Sequence, residues 1–171
     1  MNARTESKPG SEKNGTTVER KSDREVVVTR TINGPARVVF EAFTKAELFK
    51  RWWVPKSLGM TLLSCEIDAR VGGKYKLVFD HSPEPVAFFG TYVEVKPHSR
   101  LAWSNDEGGE GGSVTTVTFE ERGGKTLLVL CESYPSKEAL DAAGTGAAEA
   151  MFETFDQLDE LLVALGESSR Q

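Results

Sequence analysis

From residue 63 to residue 133 the apolar side chains recur mostly at every second position, and from 151 to 165 they recur every three or four. That switch constrains the fold more than any single motif. A period of two is a strand with one buried face, and a period near 3.6 is a helix with one buried stripe. Leu63, Cys65, Ile67, Ala69 and Val71 alternate with Ser64, Glu66, Asp68 and Arg70, and Gly72-Gly73 then turns the chain. Tyr75, Leu77 and Phe79 alternate with Lys74, Lys76 and Val78. The runs 86–95, 100–105, 113–121 and 125–133 complete a meander of six strands, broken by the turn-rich stretches 80–85, 96–99, 106–112 and 122–124.

The terminal stripe is Met151, Phe155, Leu158, Leu162 and Leu165, widened by Phe152 and Leu161, with Glu149, Glu153, Asp156, Asp159 and Glu160 opposite. It predicts an amphipathic helix over 146–165, about 30 Å long, with Gly166 as its stop. A shorter helix fits 136–143, interrupted by Gly144 and Gly146. Upstream, the β-branched run 24–32 reads as a strand. Pro35 opens a helix carrying Val38, Val39, Ala42 and Phe43, and a second short helix fits 45–53 before Pro55.

The order is one strand, two short helices, six antiparallel strands and a long terminal helix. It predicts one α+β domain, a curved antiparallel sheet of about seven strands wrapped on the helix. A cylinder does not fill a concave trough, so a cavity is expected between them, closed at one end by the short helices. Residues 24–166 are assigned to this domain. Residues 1–23 carry too little apolar surface to offset ordering and are expected to form a disordered tail, with 167–171 as a C-terminal tail.

Charge and motifs narrow the chemistry. The net charge of -5 argues against nucleic acid as a partner. No run of 18 apolar residues and no N-terminal apolar block is present, so neither a membrane span nor a signal peptide is expected, and the cytoplasm is the expected location. Cys65 and Cys131 sit in apolar runs far from His81 and His98, so two packed thiols, no metal site and no cofactor are expected. Both histidines fall in turns. No G-x-S-x-G elbow, P-loop or H-E-x-x-H occurs. Asp68 and Arg70 read as an exposed ion pair.

The stretch Phe49-Lys50-Arg51-Trp52-Trp53-Val54-Pro55 places two indoles side by side. Neighbours on a helix diverge by about 100°, so one narrow face does not bury both. Spacing with Leu48 and Phe49 points Trp52 at the core and leaves Trp53 for the cavity. The candidate cavity residues are Trp52, Trp53, Phe79, Phe88, Phe89, Trp103, Met151, Phe152 and Phe155. Strands 86–95 and 125–133 are apolar on both faces, so pattern alone does not orient them.

These motifs, taken in order, resemble the activator of heat-shock protein 90 ATPase homologue-like family, of the Bet v 1-like, START-like (SRPBCC) superfamily. The matching positions are Arg30, Pro35, Val39, Phe40, Ala42, Trp52, Trp53, Pro55, then Asp68, Arg70, Gly72 and Gly73, and last Phe155, Leu158, Asp159 and Leu162. The resemblance covers about residues 24–165 and implies the helix-grip fold. It departs at Gly34-Pro35-Ala36, where the family's arginine comes one place late as Arg37. It departs also at Lys45-Ala46, where a proline is usual, and at Gly146-Ala147-Ala148, where a glycine-tryptophan is usual. The family includes small-ligand and lipid binders, stress proteins and a few enzymes. The reading adopted is binding of a small hydrophobic or amphipathic ligand, without catalysis. Its rivals are a co-chaperone-like module with a chaperone or other protein partner, and a cyclase or hydrolase using an inward acid such as Glu94, Glu132 or Asp68.

Overall fold

The structure, a computed structural model, describes residues 10–13, 15–106, 112–143 and 150–169. Among the described residues nine strands form a single antiparallel sheet: β1 (Gly10–Lys13), β2 (Thr16–Arg20), β3 (Glu25–Ile32), β4 (Leu62–Ile67), β5 (Lys74–Phe79), β6 (Val86–Lys96), β7 (Arg100–Asn105), β8 (Val114–Arg122) and β9 (Lys125–Ser133). Their order across the sheet is β1-β2-β3-β9-β8-β7-β6-β5-β4. The helices among the described residues are α1 (Ala36–Thr44), α2 (Ala46–Phe49), α3 (Lys137–Ala143) and the long α4 (Met151–Ser169), with a 3-10 turn at Lys56–Leu58. This is the helix-grip architecture. No described helix is long and apolar enough to cross a membrane.

Strand register lines up the inward side chains in rows. Val28, Leu130, Val117 and Leu101 stand opposite one another across β3, β9, β8 and β7, and none is more than 2% exposed. Above this row α4 buries Phe155, Leu158, Leu161 and Leu162. Arg30 ties the layers together: one guanidinium nitrogen donates to Asp156 and the other to Asp159, each at 2.6 Å, from β3 to α4. Asp159 also accepts the backbone N–H of Asn33.

Several expectations give way to the structure. The folded unit begins upstream of Arg24, because β2 pairs with β3 and buries Thr16 and Val18. Two inward side chains are too few to stand out in a polar composition. The ordering is carried by the backbone ladder and by Arg30, which donates to the Thr16 hydroxyl at 3.0 Å. With β1 and β2 the sheet has nine strands, not seven. Residues 1–9 lie outside the described residues.

The strand expected over 63–71 ends at Ile67, and Asp68–Gly73 is a turn closed by Asp68 N–H to Lys74 O and Gly73 N–H to Arg70 O. A bulge between Leu62 and Ser64 puts Leu62 against the core and leaves Leu63 53% exposed, so the alternation misplaced Leu63 by one. Helix α2 ends at Phe49, and Lys50–Trp52 continue only as turns. Finally, α4 runs through Gly166 to Ser169. An exposed glycine inside a helix costs about 1 kcal/mol relative to alanine, too little to force a stop. The expected helix start at 146, the departure at Gly146-Ala147-Ala148 and most of the loop 106–112 lie outside the described residues.

Candidate ligand cavity

The double tryptophan is where the core ends and the cavity begins. After α2 the chain turns across the open end of the trough, and the two indoles diverge. Trp52 is fully buried; its Nε1 donates to Ala42 O at 2.9 Å, and its ring meets Phe43 edge-on at 4.8 Å. Trp53 is part-buried and stacks on Phe49, 4.8 Å between centroids and 26° between planes.

Polar side chains of α4 hold this crossing segment in place. Gln157 Nε2 donates to Trp52 O and Val54 O, at 2.9 and 2.8 Å, while its Oε1 accepts the Lys56 N–H at 2.9 Å. Glu153 accepts the N–H and the hydroxyl of Ser57. The Thr154 hydroxyl donates to Trp53 O. A segment whose regular structure is one 3-10 turn at Lys56–Leu58 thus has other backbone groups satisfied by the helix it covers.

Beneath it lies a cavity of about 340 Å³. One wall is Phe43, Phe49, Trp53 and Val54, and the mouth carries Leu58, Met60 and Phe88. The sheet supplies Ile67, Leu77, Phe79, Tyr92 and Trp103, and the start of α4 supplies Met151 and Thr154. Among the described residues the lining is apolar apart from a few hydroxyl, amide and indole groups, and no described Asp, Glu, Lys, Arg or His is part of it.

One polar row crosses the floor. Tyr75, Gly90 and Asn105 are register neighbours on β5, β6 and β7. The Tyr75 hydroxyl reaches past Gly90 and donates to Asn105 Oδ1 at 2.7 Å. Gly90 makes this possible: a Cβ there would fall 2.6 Å from the Tyr75 ring and 1.8 Å from Ser104 O. Asn105 Nδ2 in turn donates to the Ser113 hydroxyl at 2.9 Å and the Thr115 hydroxyl at 3.1 Å. Tyr92 is 4% exposed, and burial pushes its phenol far up, so the hydroxyl stays a neutral donor.

Of the nine sequence candidates, Trp53, Phe79, Phe88, Trp103 and Met151 line the cavity. Trp52 and Phe155 do not; both are fully buried in the core beside it. Phe152 is part-buried and outside the lining. Phe89 is 41% exposed on the opposite face of β6, because Phe88 opposes inward Leu77 and its neighbour must point away. Tyr75, Tyr92 and Asn105 were not among the candidates. The alternation of Tyr75 with Leu77 and Phe79 carried a signal for the first. Tyr92 sits in a strand apolar on both faces, where the pattern has no phase.

None of the three candidate acids lines the cavity. Glu94 pairs with Arg100 at 2.7 Å, a bond that holds its carboxyl below the usual range. Asp68 forms an exposed pair with Arg70 at 2.9 Å. Glu132 lies in the inward row between Val26 and Thr115, where burial raises its carboxyl although it accepts the Tyr134 hydroxyl at 3.1 Å. His81 is exposed, and His98, at φ 68°, meets Phe40 edge-on at 5.7 Å. Cys65 and Cys131 are free and part-buried, with both thiols raised by burial.

A curved sheet gripping one helix around an apolar cavity defines a Bet v 1-like, helix-grip protein. The profile of the family described as "Activator of Hsp90 ATPase homolog 1-like protein" matches residues 33–163, and the chain belongs to that family. Among solved structures it is similar to a protein from Rhodobacter sphaeroides, at 22% identity and a TM-score of 0.77, covering 88% of this chain and 99% of that one. A protein from Mycobacterium smegmatis matches at 22% identity and a TM-score of 0.73, covering 92% and 99%. One from Chromobacterium violaceum matches at 26% identity and a TM-score of 0.69, covering 82% and 97%. No match appeared among curated proteins.

Proposed function

We propose that this protein binds a small, mostly apolar molecule in the cavity between β5–β7, the start of α4 and the Trp53–Met60 segment. The supporting observation is a cavity of about 340 Å³ whose lining is almost wholly apolar. That volume falls at the lower end of the range, roughly 300–1,000 Å³, of pockets that take drug-sized ligands. Trp53, Phe79, Phe88, Trp103 and Met151 are the contact residues in this reading, and the protein acts by binding, in the cytoplasm, without a catalytic group.

Titration with the neutral dye Nile red tests it. Dye emission should rise on binding and the indole emission of Trp53 and Trp103 should change. Leu77→Trp, which fills the cavity, should abolish the dye response without unfolding the sheet. A dye response that survives in this variant would sink the reading.

The family description supports a second reading, a chaperone partner bound through the surface. Phe89 and Val93, 41% and 50% exposed on the outer face of β6, would be its contacts. A chaperone that binds the Leu77→Trp variant unchanged, and loses binding with Phe89→Ser, would favour it.

A further inference from the structure

Tyr92 and Trp103 stand opposite each other on β6 and β7, their rings 6.3 Å apart at 70°. Both line the cavity, and they are 4% and 7% exposed. Among the described residues, neither the Tyr92 hydroxyl nor the Trp103 Nε1–H donates a hydrogen bond to the protein, whereas the Trp52 indole and the Tyr75 hydroxyl in the same region both do. A buried donor without a partner is costly, so two of them on facing residues of one cavity wall mark where a bound molecule supplies an acceptor. The acceptor must be neutral. Among the described residues the lining holds no cation, and a carboxylate or phosphate buried there would keep its charge unpaired.

We propose that the cavity selects a neutral, mostly apolar molecule bearing a carbonyl oxygen, which accepts from the Tyr92 hydroxyl and the Trp103 indole N–H. The proposal rests on the apolar-ligand reading above and adds a chemical class to it. An apolar hydrocarbon leaves both donors bare; an acid of the same shape brings a charge that the site does not answer. A ketone or ester satisfies the donors and carries no net charge. Burial, with the nearby Cys65 and Asp68, keeps the Tyr92 phenol protonated, so the preference should not vary across the physiological pH range.

Three shape-matched probes read the preference directly: the β-isomers of acetylnaphthalene, ethylnaphthalene and naphthoic acid, titrated into the full chain at neutral pH and followed by calorimetry. The ketone should bind about tenfold tighter than the hydrocarbon, as one or two net hydrogen bonds imply, and the acid should bind most weakly. In Tyr92→Phe the ketone should lose most of its advantage while the hydrocarbon keeps its affinity, and the free protein should melt no lower than the wild type. Equal binding of ketone and hydrocarbon, or a ketone advantage that persists in both Tyr92→Phe and Trp103→Phe, overturns the carbonyl proposal and leaves apolar binding standing. Binding of none of the three overturns both.

Discussion

The two halves of the trough share one sheet and one alternation, yet they end up as different materials. Under α4, the row Val28, Leu130, Val117 and Leu101 is at most 2% exposed and meets fully buried Phe155 and Leu158. Under the Trp53–Met60 segment, the sheet's Ile67, Leu77 and Phe79 face open volume, and the mouth residues Leu58, Met60 and Phe88 are 56%, 39% and 41% exposed. The difference lies in what covers each half. A helix stripe interdigitates with a sheet over its whole length. A segment with a single 3-10 turn, pinned at three points by Glu153, Thr154 and Gln157, spans a gap without filling it. Core and cavity are therefore not two kinds of sequence. They are one kind of strand with two kinds of lid, and Trp52 and Trp53 straddle the border.

The largest effect that could break this comparison is at that border. Trp52→Ala should cost about 3–5 kcal/mol, since it empties a fully buried site and orphans Ala42 O. Trp53→Ala should cost only about 1–2 kcal/mol, because its ring is part-buried. Urea denaturation of the two variants measures both; equal losses would mean that the lid is as tightly packed as the core.

Next comes Gly90→Ala. Its Cβ would meet Ser104 O and the Tyr75 ring, so Tyr75 must swing off the floor and release Asn105. A loss of about 1–3 kcal/mol is expected, with altered dye binding. A stable variant with unchanged dye affinity would show that the polar row does not shape the cavity.

The smallest effect, at Glu132, sharpens the comparison from the dry side. Burial raises its carboxyl above the ordinary 4.5, so the folded state favours the neutral form. The stability tied to that preference is complete below pH 4.5 and is lost as pH rises through the folded pKa. Glu132→Gln should therefore melt slightly higher than the wild type at neutral pH, with the difference vanishing in acid. Parallel melting curves across that range would show that Glu132 is solvated in the fold.

Most of the architecture was legible because it rests on local periodicity. The alternation of Tyr75, Leu77 and Phe79 and the stripe through Met151, Phe155, Leu158 and Leu162 each repeat at the period of one element, so a single sequence carries their phase. The divergence of Trp52 from Trp53 was expected from helical geometry, yet α2 ends at Phe49 and the two indoles sit on the turn beyond it. Strand β2 was not: it has two inward residues, Thr16 and Val18, and its order comes from a ladder to β3 and a bond from Arg30. Nor were Phe88 and Phe89 separable, since a strand apolar on both faces has no phase until Leu77 is set opposite Phe88.

The chain's own pattern determined a sheet, its helix and a trough between them, because alternation and amphipathicity are properties of neighbours in sequence. Only the tertiary structure decided which part of the trough stays open. That depends on where α4 lies over the sheet and where its polar side chains catch the 52–57 backbone. It decided too that Tyr92 and Trp103 are left as donors without partners among the described residues, because a hydrogen bond is made or missed by distance in space.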